Sequence, residues 1–203
     1  MTRFTPLLLL SLSVLISTGC DVVYVDEPFG RGLVEHHTAH YVGHYSTGEG
    51  VIQVQQTGDS TLQAAWVEYD QRDGFRMMVV DIELRYWGGK TIAYVRLNYD
   101  ASSVEPDDNE DPDQLERWLF AYAIDQNAAA NPPNPLVFAA PRESVFADLV
   151  RRGELPGEAD GECTRLDPAA EEELAAMLVG RGAEELFDHT EPLVFTRLPA
   201  RLK

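Results

Sequence analysis

The chain has 203 residues, 44% hydrophobic and 25% charged, which suits one ordinary domain with its own core. Its 34 acidic and 16 basic side chains give a net charge of −18. Phosphate neutralisation needs clustered Lys and Arg, so this balance excludes a general nucleic-acid binder and an electrostatic hold on anionic lipid.

Arg3 is the single charge before Cys20, and the apolar run Leu7–Ile16 is interrupted only by Ser11 and Ser13. As a helix that run spans about 15 Å, half of a ~30 Å hydrocarbon core, so it reads as a signal-peptide core and not as a permanent span. Ser17-Thr18-Gly19-Cys20 closes it. The stretch resembles the lipobox of bacterial lipoproteins over residues 1–20, with Ser17 where an aliphatic residue is usual. The resemblance implies cleavage between Gly19 and Cys20, a diacylglycerol and acyl chains (palmitate among them) on Cys20, and a cell-envelope location facing the periplasm. Two or three acyl chains hold a protein stably where one does not. Asp21 is similar to the signal that, in enteric bacteria, retains a lipoprotein in the inner membrane. Cys20 and Cys163 are the two cysteines, so acylation of Cys20 leaves Cys163 without an internal disulfide. A Cys20–Cys163 disulfide is the other reading, and it needs cleavage elsewhere.

Residues 1–19 are thus the expected signal peptide, and residues 20–39, mixing Asp, Glu, Gly and Pro28 without a sustained period, a lipidated tether. Residues 40–203 are expected to form a single globular domain. Val51–Thr57 alternates, Gly58-Asp59 turns the chain, and Thr61–Tyr69 is extended again. Met78, Val80, Ile82, Leu84 and Tyr86 share one parity, which predicts a half-buried strand. Gly88-Gly89 suits a tight hairpin into Thr91–Tyr99, where Ala93, Val95, Leu97 and Tyr99 share a face. After the acidic stretch 105–113, Trp118–Ile124 reads as a strand, 127–135 as a linker and Leu136–Ala139 as a short strand. Pro141 opens a helix that Gly153 ends. Asp167 as N-cap and Pro168 predict a second helix, stopped by Gly180. A short helix over Ala183–Phe187 and a final strand over Pro192–Leu198 complete the order.

Strands followed by helices and a last strand predict an α+β fold. The expected form is a curved antiparallel sheet or incomplete lipocalin-like barrel, with C-terminal helices and a closing strand. The stretches Phe146–Leu155 and Glu191–Arg197 also resemble those of a group of Gram-negative lipoproteins with no assigned activity.

His36, His37, His40 and His44 fall within nine residues. Imidazoles so gathered, with Glu35, suit zinc, copper or nickel if the chain folds back on itself; a straight strand spreads alternate residues by nearly 7 Å. Asp107, Asn109 and Asp111 match the first ligand positions of a calcium loop, but Pro112 and Trp118 replace the glycine and glutamate that loop requires. Nucleophile elbows, phosphate loops and dinucleotide fingerprints are missing from the sequence. Cys163 reads as a small buried or semi-buried residue. Trp66, Trp87, Trp118, Tyr94 and Phe120 have the spacing of a plain core, or of a cavity lining. The expectation is a non-catalytic binding domain, its partner most simply another envelope protein. A carrier of a small apolar ligand is the alternative, with metal binding through His36–His44 behind it. Beyond the acyl modification and that metal, no cofactor is implied.

Overall fold

Alternating apolar and polar residues generate long antiparallel strands, and these set the architecture. The computed structural model describes residues 22–33, 35–47, 50–70, 74–87, 89–103, 116–124, 135–161 and 163–199. The lipobox, Asp21, the acidic stretch 105–113 and linker residues 127–134 lie outside the described residues. In chain order the elements begin with β1 (Val22–Val25), β2 (Arg31–Gly32) and α1 (Glu35–Thr38), then a 3-10 turn (Ala39–Tyr41). There follow β3 (Gly43–Ser46), β4 (Val51–Gln56), β5 (Thr61–Asp70), β6 (Gly74–Trp87), β7 (Lys90–Leu97), β8 (Trp118–Ala123) and β9 (Leu136–Ala139). Then come α2 (Glu143–Arg151), β10 (Gly157–Asp160), β11 (Cys163–Leu166), α3 (Ala170–Gly180), α4 (Ala183–Leu186) and β12 (Leu193–Arg197).

Strands β3 to β9 pair each with the next, antiparallel throughout. β12 then pairs with both β9 and β3. The result is a closed, eight-stranded, up-and-down barrel. Everything from α2 to α4 is one insertion between its last two staves. β8 has a divided edge: Tyr122 and Ala123 pair with β9, while Trp118 and Leu119 pair with β1. β1 continues, parallel, to β11, which pairs with β10.

Register assigns the faces. Leu62 lies opposite Ile82, Leu84 opposite Ala93 and Val95 opposite Leu119, all pointing into the barrel. The opposite parity of β7 and β8, Ile92, Tyr94, Phe120 and Tyr122, points outward into the largest core. There it meets Phe146 and Leu149 of α2, Leu174 and Leu178 of α3, Phe187, and Val23 and Val25 of β1. The rings of Phe120, Phe146 and Phe187 contact one another edge to face, 5.8 to 6.2 Å apart. Each such fully buried side chain contributes about 1.5–3 kcal/mol.

The segment from β2 to the 3-10 turn crosses one end of the barrel. Arg31 and Gly32 pair with β6, and the Thr38 hydroxyl donates to the Asp59 carbonyl at 2.7 Å. Leu33, Tyr41 and Val42 pack onto Leu62, Leu84 and Ala93.

Three expectations change. The expected barrel is present, but it is closed and mostly β, not incomplete or α+β, because β12 is shared between β9 and β3. Residues 22–39 are built into the fold and not a tether: Val23, Tyr24 and Val25 are buried, as is Phe29. Central to its local sheet, β1 reads as a continuous apolar run with no alternation to betray it. At α3, Asp167 does not cap the helix but pairs with Arg165, and Gly180 is simply its last helical residue.

The special backbone lies at Gly182, with φ 90° and ψ 154°, a region essentially confined to glycine. A Cβ would meet nothing within 4 Å at either glycine, so backbone conformation alone separates them. Gly182→Ala is therefore expected to cost about 1–3 kcal/mol. Gly180→Ala is expected to be neutral or to gain up to about 1 kcal/mol. Urea denaturation checks both, and equal effects would contradict the assignment.

Candidate functional site

The barrel interior is built largely from small and medium side chains. Gly43, Ala64, Ala93, Ala121 and Ala123 occupy inward positions by register. Among the larger inward residues, Leu62, Leu84, Trp66 and Tyr45 are buried. Val54, Ile82, Val95 and Ala121, midway along their strands, are half-buried, as are Leu97, Phe138 and Phe195. Eight strands enclose just enough room for side chains or for one small ligand; here Val54, Ile82, Val95, Leu97, Phe138 and Phe195 pack against the inward clusters around Trp66 and Leu84.

Two polar groups enter this apolar lining at the capped end. Tyr45 of β3 lies opposite Arg197 of β12. The Tyr45 hydroxyl donates to the Tyr41 carbonyl at 2.9 Å. Arg197 donates through Nη2 to the carbonyls of His40, at 3.2 Å, and Val42, and to the Tyr45 hydroxyl at 3.3 Å. Its guanidinium lies 5.6 Å from the Tyr45 ring centroid. Burial pushes the Tyr45 pKa up, and the Arg197 charge offsets this in part.

Two surface features lie elsewhere. A cleft of about 590 Å³ is lined by Tyr24, Asp26, Glu116, Arg117, Glu158 and Arg165. Its Arg165 already pairs with Asp26 and Asp167 at 3.2 Å and Glu158 at 3.4 Å, so a ligand there would have to displace ion pairs. On the outer face of the long β5–β6 hairpin, Val67 faces Met77 and Tyr69 faces Phe75. Tyr69 is 66% exposed and Phe75 78%, with rings 5.2 Å apart.

The histidines do not form a centre among the described residues. His37 lies in α1 and His40 in the 3-10 turn, both exposed. His44, also exposed, points outward from β3 between inward Gly43 and Tyr45. His36 lies in α1. Among the described residues no three His, Cys, Asp or Glu side chains converge as metal ligands. Of the five aromatics considered for a lining, Trp66 alone faces inward, its Nε1 donating to Glu68 at 2.8 Å. Trp87, Tyr94 and Phe120 belong to the outer core, with Trp118 packed against it. Cys163 is free and half-buried on β11. Sequence reasoning passed over Arg197 and Tyr45. The available signal was parity: Arg197 continues the inward phase of Leu193 and Phe195.

Comparison with known protein families, with curated proteins and with solved structures finds no match for this chain.

The buried phenols set an alkaline limit. Burial raises the pKa values of Tyr24, Tyr45 and Tyr94 above the ordinary 10.0. Raised folded values mean that their contribution is complete below pH 10 and is lost as the pH climbs through those values. The urea midpoint is therefore expected to fall steadily above pH 10, and less steeply in Tyr94→Phe. A midpoint that stays flat there would contradict the burial of these hydroxyls.

Proposed function

We propose that this chain is a lipid-anchored protein of the cell envelope, facing the periplasm, whose barrel holds a small apolar ligand without catalysing a reaction on it. The observation that carries the ligand reading is the half-buried state of Val54, Ile82, Val95 and Ala121 inside a closed barrel. Apolar surface left open to water is stabilised by any apolar molecule that covers it, at roughly 25 cal/mol per Å². The anchor rests on the lipobox-like stretch ending at Cys20. Because β1 begins at Val22, one residue separates Cys20 from the fold, and an acylated Cys20 would hold the barrel close to the membrane.

A neutral fluorescent naphthylamine is the direct probe. Saturable enhancement is expected with the wild-type protein. Ala121→Leu, which fills inward space, should weaken binding about tenfold, equivalent to about 1.4 kcal/mol. Absence of saturable binding, or an indifferent Ala121→Leu, would overturn the ligand reading. For the anchor, Cys20→Ser should leave an uncut, unacylated precursor in its host. Normal processing of that variant would overturn it.

A second reading draws on the exposed hairpin pairs Val67–Met77 and Tyr69–Phe75. Exposed aromatic and aliphatic clusters mark protein contacts. With a net charge of −18, the fitting partner is an envelope protein with an apolar face and a basic rim. Failure of the neutral probe to bind would leave this reading in place.

A further inference from the structure

We propose that Arg197 makes the barrel a site for a long-chain carboxylate, the head group meeting the guanidinium and the chain lying along the inward wall. The inference rests on the ligand reading above and specifies its chemistry. Arg197 shares the inward face of β12 with Leu193 and Phe195, opposite buried Tyr45. Acidic residues outnumber basic ones 34 to 16, yet among the described residues no carboxylate pairs with Arg197. Outward arginines differ: Arg85 pairs with Glu83, Arg96 with Asp81 and Arg181 with Glu154. Arg197 is half-buried and has no counter-charge, so an anion brought by a ligand gains a charge-assisted hydrogen bond that no carboxylate of the chain competes for.

The donors are arranged to accept such an anion. All three hydrogen bonds of Arg197 leave from Nη2 and reach neutral oxygens. Nε and Nη1 have no hydrogen-bond partner among the described residues. Nε and Nη1 lie on opposite edges of the guanidinium, and each can offer a carboxylate one charge-assisted hydrogen bond, while both two-donor edges include the engaged Nη2. Gly43 lets the guanidinium pack closely against the backbone of β3, since a Cβ there would come within 3.2 Å of Nε and 3.3 Å of Nη2. Gly43 in turn lies opposite half-buried Val54, which places the guanidinium beside the apolar inward face. Nη2, meanwhile, clasps the last carbonyls of the cap, which fixes the guanidinium in place before any ligand arrives.

The test compares three ligands of equal chain length on the mature protein by calorimetry: dodecanoate, dodecanol and dodecyltrimethylammonium. The mean field of a −18 chain disfavours an anion, so preference for dodecanoate must come from a local cation. The wild type is expected to bind dodecanoate about tenfold more tightly than dodecanol, and the ammonium most weakly. In Arg197→Gln the ratio of dodecanoate to dodecanol affinity should fall from about ten to about one. Arg197→Lys should keep part of the advantage. If Arg197→Gln fails to fold, the wild-type ranking and Arg197→Lys still decide. Equal or weaker binding of dodecanoate than dodecanol in the wild type overturns the role of Arg197 and leaves the apolar site standing. Undiminished preference in Arg197→Gln does the same. Binding of none of the three overturns both readings.

Discussion

The pairing of β12 with two partners is the interaction on which the rest of the structure depends. Leu193–Phe195 lie against β9, and Thr196 and Arg197 against β3. Without this short stave, β3 and β9 would each present an unpaired row of backbone donors and acceptors. With it, the meander from β3 to β9 closes and acquires an inside. The same strand delivers Arg197 to the interior, and Arg197 fastens the cap segment through the carbonyls of His40 and Val42. Closure and the inward position of Arg197 are thus consequences of five residues of β12.

Beside the two clusters inside the barrel, the largest core lies outside its wall. The outward face of β7 and β8 supports a core containing Phe146, Leu149, Leu155, Leu166, Leu174, Leu186 and Phe187, all with essentially no exposure. That core is supplied by the insertion between β9 and β12, and by β1 at the other end of the chain. Trp87 ties it to the barrel, its Nε1 donating to the Glu171 carbonyl at 3.3 Å. The rings of Phe120, Phe146 and Phe187 build the outer core, while the inward wall mixes Tyr45, Trp66, Phe138 and Phe195 with alanines and a glycine.

Much of this was legible in the sequence, and the reasons for what was not are physical. β4, β5 and β6 were readable because each has one face wetter than the other, the condition that produces alternation, and β7 showed the aliphatic parity of its inward face although Ile92 and Tyr94 on the other face are covered too. β9, α2, α4 and β12 had turn or helix signals at their ends. β1 escaped notice because both its faces are covered. β10 and β11 are short strands in a charged surface sheet, where Glu158 and Arg165 face each other and no apolar period exists. Closure itself is a long-range fact, fixed by pairings between Arg197 and Tyr45 that no local pattern encodes. The aromatic spacing of β8 was visible, but whether that face looked into the barrel or out of it was not. The histidine cluster was visible too, yet His37, His40 and His44 sit on exposed positions of the cap and of β3's outer face. Arg197 looked like an ordinary terminal cation until register placed it on the inward face of β12, opposite Tyr45.

The central claim is that the closed barrel encloses space for an apolar ligand. Native mass spectrometry of the protein gently extracted from its host tests it most directly. The account predicts a species heavier than the acylated polypeptide by the mass of one small amphiphile, released on unfolding. A population carrying no small molecule, still bare after incubation with long-chain carboxylates and alcohols, would contradict it.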